Sequence, residues 1–155
     1  RPSSKVGGSV FLRFAIRYRS APWPGRSAPS PLATDALPYA LRPAMQEFDL
    51  NDSTADRFLL DSTGVSLVVF HSRTCPNCRL ARENLPKMNL PVERICWIDA
   101  GDNRGLVERY EVFHLPSMYV VKNAVFYGSV QATLAEWDIR RQVHLAQDSV
   151  PAELP

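Results

Sequence analysis

Two cysteines separated by two residues are the side chains best suited to chemistry in this chain. They are Cys75 and Cys78, in the sequence Cys-Pro-Asn-Cys. Such a pair occurs as a redox-active dithiol, as half of a zinc site, or by chance. An apolar, β-branched run at residues 66–70 precedes the pair, and a stretch rich in Arg, Leu, Ala and Glu follows it. A thiolate at the start of a helix faces unpaired N–H groups, which lower its pKa and make it nucleophilic, so this context favours a redox dithiol.

The residues around the dithiol bear on its reactivity. Pro76 suits the first position of a helix, where an N–H would have no intrahelical partner. Asn77 adds a polar side chain near the two sulfurs. Arg73 and Arg79 flank the pair, and two interpretations stay open for them. They either lower the thiolate pKa and favour acidic partners, or they are solvated surface charges.

The third cysteine is expected to be inert. Cys96 lies among apolar neighbours in a predicted strand, which favours a buried thiol over a regulatory one. Three cysteines do not form a disulfide framework, and the odd count leaves at least one thiol unpaired. This pattern fits a reducing compartment, and we expect a cytoplasmic protein.

A metal site is a poor alternative for the dithiol. Structural zinc needs four protein ligands. Cys75 and Cys78 would supply two, and the sequence offers neither a second Cys-x-x-Cys nor a clustered histidine pair. We therefore expect no metal and no cofactor other than the redox-active pair itself. A dimer that shares one metal or cluster between two dithiols stays open.

An alternation of strands and helices must position the dithiol. Apolar residues make up 45% of the chain, enough for a core, and its length suits one compact domain with some extra chain. This alternation indicates an α/β fold with a central sheet flanked by helices, and a closing hairpin makes the sheet mixed. The predicted strands are residues 47–50, 66–70, 92–98, 117–121 and 125–128, and three predicted helices end near residues 60, 85 and 110.

Capping residues mark where the helices begin. Asp52 or Ser53 is predicted to cap the first helix. Thr133 and Glu136 have the spacing of a capping box at the start of the last one. The apolar face of that last helix is predicted to carry Leu134, Trp137 and Val143.

Residues 1–44 differ in composition from the rest of the chain. They hold seven of the thirteen prolines, and seven Lys or Arg against one acid, whereas residues 45–155 have a net charge of −4. Proline-rich, basic sequence of this kind predicts a disordered tail, in which only residues 10–18 have the pattern of a short helix. The predicted organisation is therefore a tail at 1–44, a domain at 45–147 and a flexible C-terminal tail at 148–155.

The origin of residues 1–44 has several interpretations. Met45 stands at the composition break, so one hypothesis is that the protein naturally starts there and that residues 1–44 are an artificial extension. An Arg-rich, Ser-rich and acid-poor segment is also typical of an organellar transit peptide, which would place the protein in an organelle. A disordered linker is the third interpretation.

Composition also excludes two kinds of partner. The predicted domain has no basic stripe, which argues against binding to nucleic acid. No run of roughly 18 or more apolar residues occurs, so no membrane span is predicted. We expect a monomer that interacts with neither nucleic acid nor membrane.

A second motif follows the dithiol further along the chain. Residues 110–116 read Tyr-Glu-Val-Phe-His-Leu-Pro, and the next strand and turn read Ser-Met-Tyr-Val-Val-Lys-Asn. With a Cys-x-x-Cys that opens the helix after a central strand, this order resembles the thioredoxin-like superfamily over about residues 46–145. The separation of Pro116 from Cys75 is also typical of that family.

The resemblance implies a function and a set of roles. The protein would be a thiol-disulfide oxidoreductase, specifically a protein disulfide reductase, acting on protein disulfides and recharged by an upstream reductase. Cys75 would attack a substrate disulfide, and Cys78 would resolve the mixed disulfide. Pro116, if its peptide bond is cis, would let Leu115 offer its peptide groups to an extended substrate. The other substrate-binding residues would be Pro76, Asn77 and His114.

The sequence departs from the family pattern near the dithiol. Thioredoxins usually place a buried, proton-accepting aspartate where this chain has Val69, and tryptophans where it has His71 and Thr74. His71 shares a strand face with Val69, so we hypothesise that it accepts the proton instead. A hydrogen-bonded structural histidine is the alternative. These departures also keep open a second function, a thioredoxin-fold binding or scaffold protein with weak or no turnover.

Overall fold

The computed structural model describes residues 45–155, and five strands form its single mixed sheet. The predictions for residues 1–44, including the disordered tail and its short helix, lie outside the described residues. Parallel pairing joins the first and second strands to the third, and antiparallel pairing joins the second to the fourth and the fourth to the fifth. The strands are β1 (Gln46–Leu50), β2 (Val65–His71), β3 (Arg94–Asp99), β4 (Ser117–Lys122) and β5 (Val125–Val130), in the order β1-β3-β2-β4-β5.

Helices cover both faces of this sheet. Six of the seven residues of β2 are buried, as expected for a central strand with both faces covered. Leu67 and Val69 pack into one core and Val68 and Phe70 into the other, because side chains alternate along a strand. The helices are α1 (Ala55–Asp61), α2 (Pro76–Asn84), α3 (Arg104–Arg109) and α4 (Glu136–Gln147), with one 3₁₀ turn at Leu85–Lys87. Within the described residues, no helix has the length and apolarity needed to cross a membrane.

The first core holds the helix that carries the dithiol. Ala81 and Leu85 pack there with Ile139 and Val143 of α4. The second core receives Leu59 of α1 and Leu106 of α3. The sheet edge at which β2 ends, and from which α2 begins, is therefore held from both sides. The predicted mixed α/β sheet flanked by helices is confirmed.

The prediction that Asp52 or Ser53 caps the first helix is wrong. Asp52 instead caps α3, since its carboxylate accepts hydrogen bonds from the backbone N–H of Gly105 at 3.2 Å and of Leu106 at 2.9 Å. The residue before α1 is Thr54, which makes no side-chain capping bond. Sequence spacing missed this cap because donor and acceptor lie far apart in the sequence and meet only in the folded chain.

Two predictions for the last helix are also corrected. α4 begins at Glu136, so Thr133 lies before its first turn and bonds to the Asp138 carboxylate, not to Glu136. Trp137 is 68% exposed, and the buried face is formed by residues 139, 143 and 146. Trp137 lies two positions before Ile139, about 200° around the helix, so it points away from the core.

The C-terminal segment 148–155, predicted as a flexible tail, makes backbone contacts with the sheet. Ala152 forms an isolated antiparallel bridge with Phe126 of β5, through two hydrogen bonds of 3.0 and 2.8 Å. Leu154 packs against the second core. The segment thus lies along the β5 edge, which would otherwise present unpaired peptide groups.

Candidate functional site

The two cysteines occupy different environments at the start of α2. Cys75 is the N-cap residue, with extended backbone, and its Sγ accepts a hydrogen bond from the backbone N–H of Cys78 at 3.2 Å. Pro76 takes the first helical position. Cys75 is partly exposed whereas Cys78 is 2% exposed, and both are free thiols. The helix therefore leaves Cys75 partly open to solvent, with a backbone N–H directed at its sulfur.

The thiol of Cys78 is held in its protonated form. Burial is the main cause that raises its pKa, and the hydrogen bond with Cys75 adds to it, while a backbone hydrogen bond from Ser72 acts in the opposite direction; the resulting pKa is about 11. A neutral thiol is a poor nucleophile, so Cys78 reacts only after it loses its proton. This asymmetry suits an exposed attacking cysteine followed by a buried resolving one.

A loop before β4 faces the dithiol. The Leu115–Pro116 peptide bond is cis, and the Leu115 carbonyl oxygen lies 3.8 Å from the Sγ of Cys75. The hydroxyl of Ser117 donates to the carbonyl of His114 at 2.5 Å, which fixes the loop just before the proline. The backbone that a substrate would meet next to Cys75 is thus held in place by its own chain.

A groove of about 270 Å³ extends from this loop. Asn77, His114, Leu115 and Pro116 form one side, so the structure brings together four of the residues predicted to bind substrate. The segment 130–134 forms the other side. An extended polypeptide fits a groove that is bordered by exposed backbone in this way. We call this cavity the dithiol groove.

His71 lies at the end of β2 among aromatic and charged groups. Its ring meets that of Trp97 edge to face, with centroids 5.8 Å apart. Burial of the ring is the main cause that lowers its pKa, and the positive charge of Arg82 lowers it further. The carboxylates of Asp99 and Asp49 act in the opposite direction. The ring is therefore mostly neutral at pH 7 and able to take up a proton. The role of His71 as proton acceptor stays a prediction.

Arg73 forms ion pairs instead of facing the sulfurs. Its guanidinium lies 3.2 Å from the Asp99 carboxylate and 3.2 Å from that of Asp102. These pairs join the loop before the dithiol to the end of β3 and the loop that follows it, with a small energy because Arg73 is exposed. Arg79 is exposed on α2.

An interaction that sequence patterns missed lies behind the dithiol helix. Arg82 of α2 stacks its guanidinium 4.6 Å from the centre of the Trp97 ring and binds Asp49 through two bonds of 2.7 and 3.0 Å. The indole N–H of Trp97 donates to Glu47 at 2.8 Å. Residues from β1, β3 and α2 meet here, and no local spacing joins them. The cluster fixes α2 against the sheet.

Cys96 is fully buried in β3, and its thiol affects stability at high pH. Burial raises its pKa to about 12 from an ordinary value of 9.0. A group whose folded-state pKa is raised stabilises the fold fully below its unfolded pKa, and this contribution disappears as the pH rises toward the folded value.

Within residues 45–155, no group of three or more His, Cys, Asp or Glu could hold a metal ion.

We expect the free energy of unfolding to fall between pH 9 and 12, with about 4 kcal/mol of the loss due to Cys96, because its pKa shift spans about three units. Denaturant titrations across this range, in reducing buffer, measure the slope. Cys96→Val removes the titrating thiol and keeps an apolar side chain, so its slope should be shallower. The slope that remains in Cys96→Val should come partly from Tyr110, whose pKa burial also raises to about 12. Equal slopes for both proteins would contradict the assignment.

Comparisons with known proteins find likeness in structure alone. No family model and no curated protein matches the sequence. Thioredoxin from Trypanosoma brucei brucei is 16% identical, with a TM-score of 0.56, over 68% of this chain and 96% of that one. Spinach chloroplast thioredoxin F is 13% identical, with a TM-score of 0.56, over 70% and 100%. Zinc-bound human ERp44 is 14% identical, with a TM-score of 0.55, over 67% of this chain and 30% of that much longer one.

Proposed function

Because this chain has the thioredoxin-like fold, we propose that it is a thiol-disulfide oxidoreductase that reduces protein disulfides through Cys75 and Cys78. The observation that carries the proposal is the arrangement at α2. The partly exposed thiol of Cys75 accepts a hydrogen bond from the backbone N–H of Cys78, whose own thiol is buried, and Asn77 between them lines a groove together with Leu115. This geometry provides an attacking group, a resolving group and a place for the substrate backbone.

The proposed reaction transfers two electrons in two exchanges. The Cys75 thiolate attacks one sulfur of a substrate disulfide, forms a Cys75–substrate disulfide, and releases the other substrate sulfur as a thiolate that takes up a proton. Cys78 then loses its proton and attacks the Sγ of Cys75, which releases the second substrate thiolate. The substrate disulfide is reduced to two thiols, and the protein is left with a Cys75–Cys78 disulfide that an upstream dithiol reductase reduces.

The second exchange is the step that the structure makes demanding. Its nucleophile, Cys78, carries a thiol whose pKa is about 11, so the departing proton needs an acceptor. The substrate thiolate released from Cys75 can serve at the end of the step. His71, mostly neutral at pH 7, is our proposed protein acceptor, and a His71→Gln variant with an unchanged pH profile would rule it out.

The same property supports a second candidate function. A protein that forms mixed disulfides readily and resolves them slowly would hold its partners instead of releasing them. The burial and raised pKa of Cys78 favour this behaviour. In that case the chain would act as a thioredoxin-fold binding or scaffold protein with weak turnover.

An insulin-reduction assay with a dithiol reductant separates the two candidates. We expect the wild-type protein to accelerate the precipitation of reduced insulin, and the double variant Cys75→Ser/Cys78→Ser to leave the uncatalysed rate. Cys96→Val is the matched control for loss of a cysteine, and it should keep the wild-type rate because Cys96 is buried in the sheet. No acceleration by the wild type, with partners retained by the wild type as mixed disulfides on a non-reducing gel, would reject the reductase and favour the scaffold.

A further inference from the structure

A second cavity lies on the other side of the loop that faces the dithiol. It has a volume of about 380 Å³ and is lined by Phe113, Tyr119 and Phe126, among others. Tyr110 also lines it, with its ring centroid 5.4 Å from that of Tyr119 and 5.7 Å from that of Phe126. We call this the aromatic cavity. Its aromatic rings stand beside polar and charged side chains, and binding sites combine apolar contact area with polar groups in this way.

The walls of the aromatic cavity are formed before any ligand arrives. The hydroxyl of Tyr119 donates to the carbonyl of Tyr110 at 2.9 Å, in a buried hydrogen bond. The backbone of Phe126 is paired with Ala152 on its outer side. Rings held in this way lose little freedom when a ligand binds, which favours affinity.

The aromatic cavity adjoins the dithiol groove. His114 and Gln131 line both of them, so these two side chains form a shared border. Ser117 lines the aromatic cavity, and its neighbour Pro116 lines the groove. A polypeptide that lies along Leu115 and continues past His114 therefore arrives at the aromatic rings.

Two charged side chains, Arg109 and Glu111, line the aromatic cavity, and the carboxylate of Glu111 disfavours an acidic ligand side chain. Arg109 is paired with the Asp56 carboxylate through two hydrogen bonds of 2.9 and 2.8 Å, so that carboxylate largely neutralises its charge. The hydroxyl of Ser129 offers a hydrogen-bond partner for the polar end of a tyrosine or tryptophan. Phe113 is 88% exposed at the rim, which leaves one aromatic face free to be covered by a partner.

We propose that the aromatic cavity binds a large aromatic side chain of the same substrate polypeptide whose cysteine reacts with Cys75. The proposal rests on the proposed function, and it names the substrate class: polypeptides that carry an aromatic residue a few positions from the disulfide cysteine. Burial of one large apolar side chain corresponds to a factor of about ten to a hundred in affinity. The cavity thus selects substrates by a residue that takes no part in the exchange.

Peptides that each carry one cysteine in disulfide linkage to thionitrobenzoate provide the test. Attack by Cys75 forms the Cys75–peptide disulfide and releases the coloured thionitrobenzoate anion, which gives a rate constant. One series carries a single tryptophan at each of the positions near the cysteine, on both sides of it, and the control peptide has glycine at all of them. With the wild-type protein we expect at least one tryptophan peptide to react about tenfold faster than the glycine peptide.

Two variants at exposed positions test whether the preference comes from this cavity. Ser129→Trp fills it and Phe113→Ala removes part of its rim, so both should bring the ratio of tryptophan to glycine rates close to one. Leu145→Ala removes a half-exposed apolar side chain from α4 instead, and it should keep the wild-type ratio. A ratio near one in the wild type, or a ratio that Ser129→Trp leaves unchanged, would overturn the proposal.

A binding measurement separates this proposal from the proposed function. Peptides with serine in place of cysteine are titrated into the Cys75→Ser variant, and the backbone amide resonances of Tyr119, Phe126 and Ser129 are followed by NMR. We expect these resonances to shift with the tryptophan peptide and not with the glycine peptide. If these resonances shift but no peptide reacts with the wild type, the proposed binding of an aromatic side chain is supported and the proposed reductase function is rejected. Shifts that depend on protein concentration without peptide would indicate a second copy of the chain as occupant and overturn the proposal.

Discussion

The Cys78→Ser variant is expected to stop turnover and to remain covalently attached to substrate through Cys75. Cys75 keeps its exposure and its place at the N-cap of α2, so the first exchange proceeds. Serine cannot attack the mixed disulfide, and the adduct accumulates. Insulin reduction should fall by at least about a thousandfold, the effect typical of losing a residue that acts as nucleophile. Non-reducing gels and mass spectrometry of the adduct, with the substrate disulfide in excess, measure the trapped fraction.

The Cys75→Ser variant is the matched partner of this prediction. It keeps Cys78, which is 2% exposed and whose thiol has a pKa of about 11, so we expect neither turnover nor adduct. Circular dichroism on both variants checks that they are folded. Adducts with Cys75→Ser and none with Cys78→Ser would exchange the two roles and contradict the assignment of Cys75 as the attacking residue.

The Trp97→Ala variant is expected to lose about 3–5 kcal/mol of the free energy of unfolding. Trp97 is fully buried, donates its indole N–H to Glu47 at 2.8 Å, and carries the Arg82 guanidinium at 4.6 Å from its ring centre. Its removal leaves a large cavity and an unpaired carboxylate at Glu47. Since small domains are stable by only about 5–15 kcal/mol, this is a large part of the total. Urea titrations at pH 7 measure the loss.

A conservative variant and a local readout sharpen this prediction. Trp97→Phe keeps an aromatic ring under Arg82 but loses the bond to Glu47, so it should cost less than Trp97→Ala. Burial lowers the pKa of His71, whose ring contacts Trp97, so we expect that pKa to rise toward its ordinary value in Trp97→Ala. NMR titration of the imidazole resonances follows it. A loss below about 1 kcal/mol with an unchanged His71 pKa would contradict the packing described for this cluster.

Much of the fold was predictable because its signals are local. The apolar run of β2, the proline at the start of α2 and the hairpin between β4 and β5 each act over a short stretch of chain. Asn123 and Ala124 have φ of 51° and 67°, values that suit the tight turn of such a hairpin. Element boundaries were less accurate: β3 begins at Arg94, later than the predicted start at Val92, after a loop that contains Pro91.

The features that the sequence did not predict depend on contacts between distant segments. Asp52 caps α3, a helix much later in the chain, whereas local spacing assigns the same side chain to α1. Trp137 was predicted on the apolar face of α4, but it lies about 200° around the helix from Ile139, and contacts with the sheet bury the face that carries Ile139 and Val143. In each case the side chain has the expected chemistry, and the folded chain decides its partner.

The candidate site likewise has features that local sequence predicts and features that depend on contacts between distant segments. The attack geometry of Cys75 and Cys78 depends on one turn of helix, so their spacing was enough to predict it. The dithiol groove joins α2 to the loop before β4, far along the chain, and the resemblance supplied that link. Arg73 could not be placed from sequence, because its partners are distant in the chain: Asp99 ends β3 and Asp102 lies in the loop that follows it. The stacking of Arg82 on an indole ring was missed for the same reason.

A redox titration of the wild-type protein tests the central claim most directly. The protein is equilibrated with defined ratios of reduced and oxidised glutathione, quenched in acid, alkylated and digested, and each cysteine is quantified by mass spectrometry. We expect Cys75 and Cys78 to change together in one two-electron transition to a disulfide, while Cys96 stays a thiol that is alkylated only after denaturation. If Cys75 and Cys78 remain thiols at every potential, or if either pairs with Cys96, the pair is not a redox-active dithiol.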